Sequence, residues 1–164
     1  MIKRYKYLKE KSQKHVKYSS NLVIFKDFLF LCGKMDNHIV YIALGSNMNI
    51  APRVLEWARR KFRATFGTAC KFSTPVWTQP INYPYPYPFL NQVVKIYTNR
   101  PLVALQVLLK AMEGEMMRRR STAGEGRRII DIDLLMYDDQ ILRLEDWQRP
   151  YIQEGIAALR SIIL

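Results

Sequence analysis

Two aspartates one residue apart are the sharpest chemical feature of this sequence. They lie in the run Ile130-Asp131-Ile132-Asp133-Leu134-Leu135. Because side chains along an extended strand alternate between two faces, Asp131 and Asp133 share one face while their apolar neighbours turn towards a core. Neighbouring carboxylates repel each other, and Mg²⁺ favours such hard oxygen ligands together with water and phosphate oxygens. The spacing therefore predicts a Mg²⁺ site; the alternative is a pair of solvated acids on an open sheet face.

Arginines are concentrated directly before this strand. They are interspersed with glycines and comprise Arg118, Arg119, Arg120, Arg127 and Arg128. A guanidinium group presents a rigid fork of donors that matches the oxygens of a phosphate. Beside a metal-binding carboxylate pair, a loop of this kind suits a polyphosphate whose charge must be offset during group transfer. The alternative interpretation is a solvated charged loop.

The segments that would position these groups alternate between strand and helix patterns. Short apolar or β-branched runs predict strands at 39–44, 69–77, 89–98 and 129–137. Helical periodicity predicts one helix capped by Asn49 and a second that begins at Pro101, with a further helix at 151–163. The proline-rich stretch 80–88 is expected to be an extended loop, because proline cannot donate a hydrogen bond to a sheet.

The order β-α-β-β-α-β predicts an α+β protein of the ferredoxin-like type, in which an antiparallel sheet carries its helices on one face. Each of the two central helices has an apolar face that should point to the core. These faces comprise Val54, Leu55, Ala58 and Phe62 on the first helix and Leu102, Leu105, Leu109, Met112 and Met116 on the second.

The composition fits one globular domain with a basic N-terminal extension. The chain has 164 residues, 49% of them apolar, and a net charge of +12; a chain of this length can bury a sizeable core. Residues 1–34 contain nine Lys or Arg and two acidic residues, so this segment carries more than half of the net charge. We interpret 1–34 as an extension and 35–164 as a single domain that begins at Met35.

Other interpretations of the extension are a signal or membrane anchor and an arm that binds nucleic acid or a membrane surface. The apolar run 22–32 is interrupted by Lys26 and Asp27 and is too short to span a bilayer, which argues against an anchor. The two cysteines, Cys32 and Cys70, lack metal-ligand or redox spacing and fit a reducing, cytoplasmic compartment.

Four ordered segments resemble the 6-hydroxymethyl-7,8-dihydropterin pyrophosphokinase family. These are 41–47 (YIALGSN), 73–80 with the pattern Ser-x-x-x-x-Thr-x-Pro, 89–94 (FLNQVV) and 126–135 (GRRIIDIDLL). The resemblance covers about residues 38–164 and implies the same ferredoxin-like fold that the element order predicts. It also implies that the protein transfers pyrophosphate from ATP to a reduced pterin, with release of AMP, in folate synthesis.

The resemblance implies a role for each matching residue. Asp131 and Asp133 would bind two Mg²⁺ ions between ATP and the pterin hydroxyl group. The catalytic set adds Arg118 and Arg120, and the nucleotide-binding set comprises Arg120, Arg128, Leu134 and Tyr151. The pterin-binding set comprises Thr78, Ile81, Phe89 and Asn91. Glu113 matches a glutamate near the nucleotide site, with a carboxylate on the helix surface as the alternative. ATP and the reduced pterin are the expected partners of a cytoplasmic monomer, without nucleic-acid or membrane partners.

Some positions depart from the family's pattern. Tyr151 stands where the family usually has a histidine, and Ala157 and Leu159 stand where an arginine and an aromatic residue are usual. One alternative is therefore a member that binds pterin without turnover. Another is single-stranded nucleic-acid binding, since the same element order underlies the RNA-recognition motif, whose sheet stacks bases on aromatic side chains. The residues available for such stacking are Tyr83, Tyr85, Tyr87 and Phe89.

Overall fold

A computed structural model describes residues 37–80, 87–118 and 128–160, without the side chains of 117 and 118. The strands are β1 (His38–Ser46), β2 (Cys70–Phe72), β3 (Val76–Thr78), β4 (Phe89–Thr98), β5 (Asp131–Tyr137) and β6 (Gln140–Ile141). The helices are α1 (Ala51–Phe66), α2 (Leu102–Arg118), α3 (Leu144–Trp147) and α4 (Pro150–Arg160). None of these helices combines the length and the apolar character required to cross a bilayer.

The strands form one antiparallel sheet with β1 near its centre. Their order is β2-β4-β1-β5-β6, and the short β3 also pairs with β4. In the register of β1, Gly45 lies between Asn91 of β4 and Asp131 of β5. Helix α1 joins β1 to β2, and α2 joins β4 to β5. Within the described residues this arrangement confirms the predicted ferredoxin-like α+β fold.

The larger core lies between the sheet and helices α1 and α2. The predicted apolar faces of both helices are buried, with Val54, Leu55, Ala58 and Phe62 on α1 and Leu105, Leu109, Met112 and Met116 on α2. They pack against alternate strand residues that include Val40, Ile42 and Leu44 of β1 and Ile132 and Leu134 of β5. The residues between these on each strand therefore face the other side of the sheet.

A second, smaller core lies on that other face, under α4. Ile152, Ile156 and Leu159 of the helix pack on Tyr41, Val93 and Leu135. The helix approaches β4 so closely that a Cβ atom on Gly155 would lie 2.6 Å from Cγ2 of Val93. The two central helices thus share one face as expected, and α4 covers part of the opposite face. The remainder of this face, beside the C-terminal end of β1, forms the floor of a cleft.

The start of α1 differs from the expectation that Asn49 caps it. The N-cap is Ile50, which makes no side-chain cap hydrogen bond. The carbonyl of Ile50 accepts the first helical hydrogen bond, from the N–H of Val54 at 3.1 Å. Pro52 lies in the first turn, where a backbone N–H would have no acceptor within the helix. Proline geometry rather than a polar cap therefore sets this boundary.

The strand predicted at 69–77 is wrong as a single element, since it is divided into β2 and β3. The division occurs at Ser73, whose backbone N–H donates to the carbonyl of Val93 at 2.9 Å. The hydroxyl of Ser73 in turn accepts from the N–H of Val93 at 3.0 Å. A side chain has thus taken the place of a backbone acceptor, which interrupts the regular ladder. Neither β6 nor α3 was predicted, because both are too short to show a periodic pattern.

Candidate active site

A cleft with a volume of about 170 Å³ lies on the sheet face that α4 leaves uncovered. Residues of β1, β4 and β5 form its floor, and the start of α4 and the segment after β3 form its sides. The lining comprises Ala43, Leu44, Gly45, Thr78, Gln79, Pro80, Phe89, Asn91, Arg128, Asp131, Asp133, Asp146, Arg149 and Tyr151. Three antiparallel strands therefore bring together residues that are far apart in the sequence.

The two carboxylates predicted from the sequence lie together in this cleft. On β1, Gly45 pairs with Asp131 and Ala43 with Asp133, so the positions beside the acids carry hydrogen or a methyl group only. Burial raises the pKa of Asp131 above its ordinary value. Burial also raises the pKa of Asp133 to about 6, and the adjacent charge of Asp131 adds to this effect. A cation in the cleft would relieve both unfavourable contributions.

Each of the two carboxylates has an arginine partner. The Nη1 atom of Arg128 is 3.5 Å from Oδ1 of Asp131, and Nη2 of Arg143 is 2.8 Å from Oδ1 of Asp133. Arg143 also contacts Asp146 at 3.4 Å, and Arg149 contacts the other oxygen of Asp146 at 2.8 Å. Arg143, Asp146 and Arg149 were not predicted as site residues. Their only sequence signal is a set of charges in the short connection that follows the last long strand.

Arg128 is fixed to the end of β1 by backbone hydrogen bonds. Its N–H donates to Oδ1 of Asn47 at 2.5 Å, and its carbonyl accepts from the N–H of Asn47 at 3.3 Å. The hydroxyl of Ser46 donates to the same carbonyl at 3.4 Å. Two of the family-like segments, 41–47 and 126–135, therefore meet at this point and hold the guanidinium group at the cleft.

Glu113 of α2 lies in the interior and not on the helix surface, since it is 4% exposed. Its Oε1 accepts from the N–H of Ile132 at 3.3 Å, and its Oε2 pairs with Lys110. The carboxylate thus ties α2 to the first residues of β5. Its charge also contributes to the raised pKa of Asp131.

The other end of the cleft has the polar and aromatic groups expected for a flat ligand. Nδ2 of Asn91 donates to Oγ1 of Thr78 at 2.8 Å, which fixes the orientation of the amide. A Cβ atom on Gly45 would lie 2.8 Å from Oδ1 of Asn91, so any larger residue there would displace the amide. Phe89 lines the same region. A buried, oriented amide beside an aromatic ring suits a heteroaromatic ligand with donors and acceptors along its edge.

Most of the site residues expected from the sequence that fall in the described part of the chain line this one cleft. They are Thr78, Phe89, Asn91, Arg128, Asp131, Asp133 and Tyr151. Leu134 is not among them: its side chain is buried on the opposite face and lines a separate groove with Lys110 and Leu142. Ile81 and Arg120 lie outside the described residues, as does the side chain of Arg118. Burial raises the pKa of Tyr151, which therefore presents a neutral phenol to the cleft.

The carboxylates fit a metal that takes part of its coordination from other molecules. In the described part of the chain, no three His, Cys, Asp or Glu side chains are grouped closely enough to hold a metal by themselves. Asp146, the third acidic residue of the lining, pairs with Arg143 and Arg149. Asp131 and Asp133 remain as an adjacent carboxylate pair, and Mg²⁺ is commonly held by one or two carboxylates with water and substrate phosphates as the remaining ligands. The donor set of Asp131 and Asp133 is consistent with that mode of binding.

Comparison with known proteins identifies the family. Residues 41–161 match the model of the 7,8-dihydro-6-hydroxymethylpterin-pyrophosphokinase family. The chain belongs to this family. The matched range includes every described residue that lines the cleft. The resemblance found in the four sequence segments is therefore confirmed over most of the chain.

Curated relatives agree with this membership. The 2-amino-4-hydroxy-6-hydroxymethyldihydropteridine pyrophosphokinase of Bacillus subtilis is 31% identical over 116 residues, which cover 70% of this chain and 69% of that protein. The protein of the same name from Porphyromonas gingivalis is 27% identical over 126 residues, 70% of this chain and 86% of its own length. The folic acid synthesis protein fol1 of Schizosaccharomyces pombe is 29% identical over 130 residues, 77% of this chain but only 18% of that longer protein.

Proposed function

We propose that this protein transfers the terminal pyrophosphoryl group of ATP to the hydroxymethyl group of 6-hydroxymethyl-7,8-dihydropterin, with release of AMP, in folate synthesis. The observation that carries the proposal is the presence, in one cleft, of the carboxylate pair and of the oriented amide of Asn91. Family membership supports the same reaction. A carboxylate pair suits a metal–polyphosphate group, and an amide beside Phe89 suits the edge and face of a pterin ring.

Asp131 and Asp133 are the residues that would hold Mg²⁺, and we propose two ions. When bound there, Mg²⁺ would offset the negative charge of the phosphates and polarise their oxygens. Arg128 would add a guanidinium group for a phosphate oxygen, and we assign the same role to Arg118 and Arg120. Tyr151 would contact the nucleotide from the first turn of α4. Leu134 has its side chain in the core, so we assign it a contact through its main chain only.

The residues at the other end of the cleft would orient the pterin. Asn91 and Thr78 would bind the edge of the ring, Phe89 would pack on its face, and Ile81 would complete this wall. Held in this way, the hydroxyl oxygen forms a bond with the β-phosphorus of ATP while the bond from that phosphorus to the AMP oxygen breaks. The hydroxyl proton is released to water. Exclusion of bulk water from the cleft would suppress hydrolysis, which is the competing reaction.

An assay for AMP tests the proposal. The protein is incubated with ATP, 6-hydroxymethyl-7,8-dihydropterin and Mg²⁺, and the products are separated by chromatography. We expect AMP formation that requires both pterin and metal and falls by at least about a hundredfold in Asp131→Asn and Asp133→Asn. Asp139→Asn, an exposed aspartate in the turn before β6, is the matched control and should be unaffected. Pterin-independent AMP formation, or none from the wild-type protein, would contradict the proposal.

A second candidate is pterin binding without turnover, which the position of Tyr151 in the cleft favours. The family usually has a histidine at this place, and a neutral phenol cannot carry the charge of an imidazolium. Quenching of pterin fluorescence by the wild-type protein in the absence of any AMP formation would identify this function.

We further propose that the protein acts as a cytoplasmic monomer without a nucleic-acid partner. Light scattering after size-exclusion chromatography tests whether the protein is a monomer.

A further inference from the structure

A charged network beside Asp133 has no role in the function proposed so far. Arg143 contacts Asp133 through Nη2 at 2.8 Å and Asp146 through Nη1 at 3.4 Å. Asp146 also pairs with Arg149 at 2.8 Å. Asp146 and Arg149 line the cleft together with Asp133. The network therefore borders the position at which metal and triphosphate would meet.

The contact between Arg143 and Asp133 competes with metal binding. The guanidinium group lies against Oδ1 of Asp133, an oxygen that a metal ion would also need. The two partners differ in their surroundings, because the side chain of Arg143 is 51% exposed and that of Asp133 is 23% exposed. An exposed arginine can rotate into solvent at little cost, whereas the carboxylate is held by its strand. Arg143 is thus the partner that moves when a cation arrives.

Asp146 determines where the displaced guanidinium group goes. It contacts Arg143 through Oδ2 and Arg149 through Oδ1, so it can retain Arg143 at the edge of the cleft after Asp133 is released. There the guanidinium group would lie next to a metal-bound triphosphate, whose oxygens are better partners for its donor fork than water is.

On the basis of the proposed function, we propose that Arg143 is a phosphate-binding residue that exchanges partners during substrate binding. In the substrate-free protein its guanidinium group forms an ion pair with Asp133. When Asp133 takes a divalent cation, the guanidinium group of Arg143 binds a phosphate oxygen of ATP and stays tethered by Asp146. The exchange makes metal and nucleotide binding mutually supportive, because each removes an obstacle to the other.

The variant Arg143→Gln tests this exchange, because its affinities for a divalent cation and for a nucleotide should change in opposite directions. Mn²⁺ binding to the nucleotide-free protein, followed by electron paramagnetic resonance, should become about two- to fivefold tighter because the competing cation is gone. Binding of α,β-methylene-ATP with Mg²⁺, followed by calorimetry, should become weaker on the order of tenfold because a charge-assisted hydrogen bond is lost. Neither readout depends on turnover.

Two further variants complete the experiment. Arg60→Gln removes a 76%-exposed arginine that pairs with Glu56 on α1 and should change neither affinity. Arg143→Lys keeps the positive charge and should leave Mn²⁺ affinity near that of the wild type while still weakening nucleotide binding. Unchanged Mn²⁺ affinity or unchanged nucleotide affinity in Arg143→Gln would overturn the exchange. AMP formation by the wild-type protein is measured in parallel, so failure of the exchange is distinguishable from failure of the proposed reaction.

Discussion

Asp133 is held where its charge is disfavoured, and this makes the metal-free protein sensitive to pH. The pKa of Asp133 is about 6 because of burial, compared with an ordinary value of 3.8. The folded state binds the proton of the Asp133 carboxyl group more tightly than the unfolded state does. Protonation of Asp133 therefore stabilises the folded state fully below about pH 4, and this stabilisation is lost as the pH rises through about 6. The charge that the proposed metal site requires would thus be retained at the expense of stability.

We therefore expect Asp133→Asn to stabilise the metal-free protein at neutral pH. At pH 7.5 with a chelator, its Tm should exceed that of the wild type by on the order of 3 °C, and the decline between pH 4 and pH 6.5 should be smaller. Thermal unfolding over that pH range measures both effects. Added Mg²⁺ should raise the Tm of the wild type but not of the variant. A lower Tm for the variant at pH 7.5 would show that, in the wild type, the ion pair between Asp133 and Arg143 stabilises the protein more than burial of the charge destabilises it.

A second prediction concerns the orientation of the pterin by Asn91. In Asn91→Ala, pterin affinity should fall by about ten- to a hundredfold, because a hydrogen-bonded amide is removed from a buried position. Nucleotide affinity should be unchanged, since a whole strand separates Asn91 of β4 from Asp131 of β5. Pterin fluorescence and calorimetry measure the two affinities. Asn99→Ala, which alters an exposed asparagine just beyond β4, is the control.

Among individual site residues, the sequence predicted those whose positions follow from the alternation of side chains along a strand. It missed those that lie in an irregular turn. Asp131 and Asp133 share a face because an extended backbone requires it. Arg143 lies in the connection between β6 and α3, and nothing in the local sequence specifies the path that brings it to Asp133. The depth of burial that raises the pKa of Asp133 was likewise unpredictable, since it depends on surrounding segments.

Among the secondary-structure elements, the packing of α4 on β4 depends on one glycine. Gly155→Ala would gain helix propensity, but its new methyl carbon would lie 2.6 Å from Cγ2 of Val93 and 3.3 Å from Oγ of Ser73. We expect a net loss of about 1–3 kcal/mol in the free energy of unfolding, because overpacking outweighs propensity. Chemical denaturation measures this loss.

Gly114 provides the matched control for that prediction. It lies within α2, and a Cβ atom at this position would meet no atom within 4 Å. Gly114→Ala should therefore stabilise the protein by about 0.5–1 kcal/mol through helix propensity alone. Equal effects of the two substitutions would contradict the close packing of α4 on the sheet.

Long elements with strong periodicity were predictable, and short ones were not. β4 has the bounds expected from the sequence, and the buried faces of α1 and α2 consist of the predicted residues. The division of 69–77 at Ser73 depends on a hydrogen bond to Val93, which lies 20 residues away along the chain. The position of α4 on the opposite face also followed from tertiary packing, since an amphipathic helix does not specify which face of a sheet it covers.

For the whole molecule, the described cores are built entirely from residues between Val40 and Leu159. The described residues between 37 and 160 belong to one compact unit, and the family match begins at residue 41. We therefore predict that a protein beginning at Met35 folds with a Tm within about 2 °C of the full chain and forms AMP at the same rate. Calorimetry and the chromatographic assay check this. A large loss of stability or activity would show that residues 1–34 belong to the working domain.

The sheet face that carries the cleft is partly covered by α4 and partly open. The covered part forms the smaller core, and the open part forms the floor of the cleft. The absence of a side chain at Gly155 allows the helix to lie against Val93 of β4, beside this open part of the face. For the proposed substrates, a residue that does not line the cleft, Gly155, would thereby influence how large a molecule the sheet can admit.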